Sequence, residues 1–271
     1  MKLSKSVFSY GLAALATMGL AMPAAQAAPA PDAVVFGDSL SANPTVDNYV
    51  AGKLNLPTAQ RNHNGCPTDG TFARAYGEAA RKAVADYSCA GASFYTGGKH
   101  IADSVNDAAA RGDLSPHTRE VILQAGTNDT YPHIIGGREP AAVTQQRLTE
   151  AMVNEVNHIR SRAPQARIKI VGLPQLTDAH GAACVINVVP GFPLVALPIA
   201  PVENAIDNAG REAARATGAT FVDLKAISKD HHMCNDSRWV AGVVDTTAAP
   251  HALPLHYTWD GLAAAARHVA R

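Results

Sequence analysis

The chain has 271 residues, 23 basic against 23 acidic side chains and a formal charge of zero, with 47% hydrophobic residues. A neutral balance gives no support to a nucleic-acid binder or an anionic-membrane binder. The length suits one sizeable domain with enough chain to bury a proper core.

The opening, MKLSKSVFSYGLAALATMGLAMPAAQA, carries Lys2 and Lys5, then a mostly apolar run over 7–22, then Ala25-Gln26-Ala27 as a small-x-small cleavage site. This three-part layout predicts a secretory signal peptide over 1–27 and one domain over 28–271. The apolar run is short, contains glycine and is followed by Pro23, which weighs against an uncleaved anchor. The predicted location is therefore secreted, extracellular or at the cell envelope.

Short apolar runs at 33–36, 85–88, 120–124, 168–172 and 220–222 read as strands. Helical patterns lie at 71–84, 141–162, 202–217 and 259–270. In 141–162, Leu148, Met152, Val156 and Ile159 recur at steps of four, four and three, one helix face, and Pro164 stops the helix. In 202–217, Val202, Ile206, Ala209 and Ala213 repeat the pattern, and Gly218 follows as a terminator. Strands alternating with helices predict an α/β fold with a mainly parallel sheet.

The segment 179–202, AHGAACVINVVPGFPLVALPIAPV, contains no Asp, Glu, Lys or Arg. Its prolines at 190, 193, 198 and 201 exclude a long helix or a central strand. It reads as a proline-stiffened loop, either packed on the core or forming a wall or lid for an acyl chain.

Cys66, Cys89, Cys184 and Cys234 are an even set, which in an exported chain suggests two disulfides. Three pairings are open, and nearness in sequence favours Cys66–Cys89 with Cys184–Cys234. The run His231-His232-Met233-Cys234 lacks paired metal-ligand spacing, so no metal is predicted.

The chemistry centres on VVFGDSLSANP at 34–44. Ser39 lies just past the first strand, and a serine hydroxyl needs a base and an oxyanion site before it acts as a nucleophile. The Gly-x-Ser-x-Gly elbow of α/β-hydrolases is absent. In open parallel sheets the active crevice lies beyond the carboxyl ends of the strands. Gly91, in CAGAS, follows the second strand and can bring a backbone N–H close to a substrate. Asn128, in QAGTNDTYP, follows the third and carries an amide donor. Taken singly, each reads equally as a turn residue. Among 11 histidines, His256 stands out in LPLHYTWDGLAAAARH, just before a helix that Thr258 or Asp260 can cap. His251 and His268 are second-choice bases.

FGDSLS, CAGAS, AGTND and LHYTWDG, in that order over nearly the whole predicted domain, resemble the SGNH hydrolase superfamily, also called GDSL esterases and lipases. The resemblance implies a flavodoxin-like three-layer α/β/α sandwich with about five strands. It also implies Ser39 as nucleophile, His256 as base, an oxyanion hole from Ser39, Gly91 and Asn128, and no cofactor. The two favoured disulfides look like those of secreted actinobacterial members. Two positions depart from the family: Leu253 stands where an aspartate is usual three residues before the histidine, and Tyr257 where a proline is usual. The expectation is therefore a Ser–His dyad in which the Leu253 carbonyl, or a close neighbour, accepts from His256 Nδ1, because a carbonyl can hold the imidazole tautomer. Asp38 is expected to tie down the nucleophile loop. The implied activity is a secreted serine carboxylester hydrolase acting as a monomer on a small-molecule or lipid ester, with transient contact to a lipid surface and none with nucleic acid. An acyltransferase onto an envelope sugar or lipid, and a non-catalytic binding protein on the same scaffold, are the alternatives.

Overall fold

The computed structural model describes residues 30–271. The leader expected over 1–27 lies outside the described residues. Strand β1 (Ala33–Gly37) is buried at every position, the mark of a strand covered on both faces. It runs into a short helix α1 (Ser39–Ala42), then α2 (Val46–Lys53) and α3 (Thr71–Ala80). Helix α3 ends four residues earlier than its sequence pattern predicts. Arg81 takes a left-handed φ of 54°, and Val84 pairs with Ala33 as the start of β2 (Val84–Asp86). That strand stops before Ser88, because Ser88 N–H and Oγ both turn back onto Asp86 Oδ1 at 2.9 and 2.6 Å.

Helix α4 (Ile101–Arg111), which has no counterpart among the predicted elements, leads to β3 (Glu120–Gln124), α5 (Thr127–Ile134) and the long α6 (Ala141–Arg162). Leu148, Met152, Val156 and Ile159 are all buried, as their spacing predicts. Then follow β4 (Arg167–Val171), the hairpin strands β5 (Ala182–Asn187) and β6 (Val195–Pro198), α7 (Ala200–Thr217), β7 (Thr220–Val222), α8 (Lys225–Ser228), β8 (Val244–Asp245) and α9 (Trp259–Val269). Gly218 closes α7 in the left-handed region.

The main sheet is parallel and five-stranded, in the order β2-β1-β3-β4-β7. Helices α3 and α9 pack together, and α6 packs with α4, α5 and α7, giving the predicted three-layer sandwich. The chain leaves β1 in one direction along the sheet, for β2, and then passes to β3 on the other side of β1. The topological switch point, where such folds bind ligands, therefore lies at the carboxyl ends of β1 and β3.

The 179–202 segment is not a plain loop. It builds a second sheet, in the order β6-β5-β8. Each proline finds a tolerated place: Pro190 and Pro193 between the strands, Pro198 at the end of the edge strand β6, and Pro201 in the first turn of α7. Strand β5 is mostly buried, but β6 is exposed throughout, so the outer half of the segment does not pack on the core. The disulfides are Cys66–Cys89 and Cys184–Cys234. No helix among the described residues is long and apolar enough to cross a membrane.

Candidate active site

Glycine is required where β1 hands over to the Ser39 turn. A Cβ on Gly37 would lie 2.8 Å from both Gln124 O and Ser41 Oγ, closer than real contacts allow. Asp38 is fully buried and caps α1, its Oδ1 accepting from Leu40 N at 2.9 Å. Its own N–H donates to Gln124 O at 3.0 Å, and Ser41 Oγ donates to Gln124 Oε1 at 2.8 Å. The ends of β1 and β3 are thus bonded together around the turn. Burial pushes the Asp38 carboxyl up to about 7; the Leu40 N–H opposes the rise and the neighbouring Asp129 carboxylate adds to it. Ser39 itself is half-buried, with its hydroxyl free of hydrogen bonds to other described residues.

The loop that carries Gly91 is fixed from two sides. Cys89 N donates to Gly37 O at 3.0 Å, and Cys89 is bridged to Cys66. Gly91 is exposed at φ 83°, and a Cβ there would meet nothing within 4 Å. Glycine serves the backbone conformation here, and open space lies in front of it.

Asn128 stands in the first turn of α5. Its Nδ2 donates one hydrogen to Ala92 O at 2.8 Å, which leaves the second hydrogen free. The fully buried Asp129 accepts from Phe94 N, Tyr95 N and Thr96 N at 2.8, 3.0 and 3.0 Å. This carboxylate clamps the loop after Gly91 onto the start of α5. Sequence reasoning missed it; the only available signal was its place beside Asn128 in the AGTND block.

His256 sits on the loop before α9, which Thr258 caps by accepting from Gly261 N. The loop is pinned by Ala241 N to His256 O at 3.0 Å, Leu255 N to Gly242 O at 3.2 Å and Thr258 N to Trp239 O at 2.8 Å. His256 Nδ1 lies 2.8 Å from Pro254 O. The acceptor is therefore Pro254 rather than Leu253, because Leu253 O takes the backbone N–H of His256 and Leu255 turns through a left-handed φ of 63°. A carbonyl only accepts, so Nδ1 carries the proton and Nε2 presents its lone pair. Nε2 is buried and has no partner among the described residues; no hydrogen bond joins it to Ser39 Oγ. Burial lowers the His256 pKa and the Pro254 carbonyl partly restores it.

Two aspartates near the loop are committed elsewhere or exposed. Asp245 pairs with Arg238 Nε at 2.8 Å and Nη2 at 3.1 Å, and also accepts from Gly242 N, Thr247 N and Ala248 N. Burial alone would raise this carboxyl, but the Arg238 bonds hold it well below the usual range. Asp260 is exposed in the first turn of α9. His268 lies near the far end of α9, where Lys169 reaches both Val269 O and Glu120, the first residue of β3. It is at the wrong edge of the sheet. His251 Nδ1 lies 3.2 Å from Ala249 O in its own loop. Cys234 is in a disulfide, and the described residues contain no cluster of three or more His, Cys, Asp or Glu able to hold a metal.

Residues 35–264 match the GDSL-like Lipase/Acylhydrolase family. Lipase 2 of Streptomyces coelicolor is 33% identical over 108 residues, a stretch covering 38% of this chain and 34% of that protein. The chain thus spans about a third of the length of that relative. Two solved structures share the fold. Phospholipase A1 from Streptomyces albidoflavus NA297 aligns with a TM-score of 0.55 and 17% identity over 86% of this chain and 95% of its own. An extracellular lipase from Streptomyces rimosus aligns with a TM-score of 0.50 and 18% identity over the same shares. Four motif blocks in order, a parallel sheet with its switch point at Ser39 and a family match over most of the chain make one conclusion: this protein is a member of the GDSL-like lipase/acylhydrolase family.

Proposed function

We propose that the protein is a serine carboxylester hydrolase exported from the cell. Ser39 Oγ attacks the ester carbonyl while His256 Nε2 takes its proton. The Ser39 N–H, the Gly91 N–H and the free hydrogen of Asn128 Nδ2 stabilise the oxyanion. The proton returns to the departing alcohol, and His256 then activates water to release the acid from the acyl-enzyme. The observation that carries this reading is the Nδ1 contact with Pro254 O at 2.8 Å, which leaves Nε2 as the basic nitrogen. An imidazole held in the base-competent tautomer without a carboxylate partner favours a dyad over a binding-only scaffold.

The exposed hairpin supports an ester with a long acyl group. Phe192 is 70% exposed, and Val189, Leu194 and Leu197 are exposed with it. Val243, Val244 and Leu255 are exposed too, and backbone bonds from Val243 N to Val185 O at 2.7 Å and from Leu255 N to Gly242 O tie their segment to β5 and to the His256 loop. Exposed apolar residues grouped in this way support a binding site, here for an acyl chain or a lipid surface. Two disulfides support an oxidising compartment.

Labelling with a fluorophosphonate probe tests the chemistry. The native protein is expected to label, Ser39→Ala to lose all labelling, and His256→Ala to label far more slowly. Undiminished labelling of Ser39→Ala would refute the assignment.

A further inference from the structure

The edge of the main sheet opposite Ser39 is rich in arginine. The connections that enter β2, β3 and β4 there, over 81–83, 111–119 and 162–167, carry Arg81, Lys82, Arg111, Arg119, Arg162 and Arg167. Backbone bonds set these connections side by side. Asp32 N donates to Ala83 O, Arg119 N to Asp32 O and Arg167 N to Arg119 O, each at 3.0 Å. The basic residues therefore form a row across the neighbouring strands β2, β1, β3 and β4, which lie about 4.8 Å apart. Strand β1 separates this row from the Ser39 turn by about 17 Å.

Counter-charge along the row is short. Arg81, Arg111, Arg119 and Arg162 are exposed and join no ion pair among the described residues. The buried Glu120 is shared by Lys82, by Arg167 at 3.4 Å and by Lys169 at 2.8 Å, so one carboxylate faces three cations. Asp32 accepts from Ala83 N at 3.2 Å and Asp113 from the Tyr87 hydroxyl at 2.6 Å. Arg111 and Arg162 stand in the last turns of α4 and α6, where a cation suits the helix dipole. Arg119 and Arg167 lie outside any helix, and the dipoles do not account for them. The neutral total of the chain thus conceals an uneven distribution of charge.

We propose that this arginine row is a docking surface for a flexible polymer that carries phosphate groups. A guanidinium matches phosphate oxygens two at a time and stays charged at any working pH. A row spread over four strands suits an extended chain better than a single ion. Nucleic acid is the poorer fit, because bases stack on exposed aromatic rings. The exposed aromatic side chains among the described residues, Tyr131, Phe192 and Trp259, all belong to connections at the Ser39 edge. A membrane bound here would turn Ser39 away from its lipids, whereas a polymer held here leaves the Ser39 edge open. The proposal goes beyond the ester chemistry and does not depend on it.

Binding to immobilised long-chain inorganic polyphosphate tests the surface. The native protein is expected to bind at low salt, its affinity falling linearly with the logarithm of salt concentration. The triple variant Arg111→Gln, Arg119→Gln, Arg162→Gln should bind about tenfold or more weakly and flatten the salt slope by about two. These side chains are exposed and unpaired, so its melting temperature should stay near native. A control triple, Lys53→Gln, Arg138→Gln, Lys229→Gln, removes the same charge from connections at the Ser39 edge and should bind as the native protein does. No binding by the native protein, or equal weakening in both triples, would overturn the proposal. Tighter binding to single-stranded DNA or to phosphatidylglycerol vesicles, lost in the first triple, would overturn the choice of partner.

Discussion

His256 Nδ1 sits 2.8 Å from the carbonyl oxygen of Pro254, two residues earlier in the chain. The group that orients the imidazole is therefore carried on the same tight turn, and the aspartates nearby are not needed for it.

Asp260→Asn should retain kcat within about threefold of native, since an exposed first-turn carboxylate contributes little more than a helix-dipole interaction. Asp245→Asn is a different experiment. It weakens the buried Arg238 pair and should lower the melting temperature, because breaking a buried pair costs about 3–5 kcal/mol. Steady-state kinetics on the folded fraction separates the two effects. A near-total loss of kcat in Asp260→Asn would mean that a side-chain acid assists the histidine after all.

The acid limb of the pH profile reports the base. Burial depresses the His256 pKa below its ordinary 6.5. The base works when neutral, so kcat/KM should reach half its plateau below pH 6.5 and stay flat above it. A midpoint above that value would show that the imidazole is paired with a negative charge.

Asn128→Ala should lower kcat by about a hundredfold or more, the cost of one oxyanion donor. KM should change little, because the donor serves the charge that develops in the transition state. The same variant frees Ala92 O, so its melting temperature should be recorded with its rate.

Asp38 gives a stability signature. Its carboxyl goes from an ordinary 3.8 to about 7 in the folded chain. Between those values the folded state holds a proton that the unfolded state releases, so stability falls as pH rises through that window. Asp38→Asn keeps an acceptor for Leu40 N and removes the titration. Its denaturation free energy should therefore fall less than that of the native protein between about pH 4 and 7, the difference amounting to a few kcal/mol. Parallel curves would show that Asp38 does not hold the proton.

Val195→Asp with Leu197→Asp tests the hairpin. The rate ratio of dodecanoate to butyrate esters should fall by at least about fivefold, since each buried methylene is worth roughly 0.8 kcal/mol. An unchanged ratio would remove the hairpin from substrate binding.

Much of the candidate site was legible because its residues sit in contiguous blocks. Ser39 and Asn128 each follow a strand with a plain apolar run, at 34–36 and 121–123, whereas Gly91 follows a stretch containing Asp86 and Ser88, and Thr258 and Gly261 mark the helix after His256. Other parts left no local trace. Asp129 works through backbone N–H groups of residues 94–96, and nothing at those positions signals a partner. Pro254 O is one carbonyl among hundreds, selected only by the left-handed turn at Leu255. The prolines of 179–202 argue against a central strand, yet β5 (Ala182–Asn187) lies between β6 and β8, because all four prolines fall outside it; only β6 is an edge strand.

Sequence alone settled which stretches form the five strands of the main sheet and where α6 and α7 stop, because periodicity and helix-stop signals are local properties of the chain. Only the tertiary structure decided which carbonyl orients His256, which of three cysteine pairings forms and that Asp245 belongs to Arg238. Those outcomes depend on which groups the fold brings within reach: the left-handed turn at Leu255 aims Pro254 O at His256, and the cysteines meet across 23 and 50 residues, so burial and distance decide between partners that the sequence leaves equal.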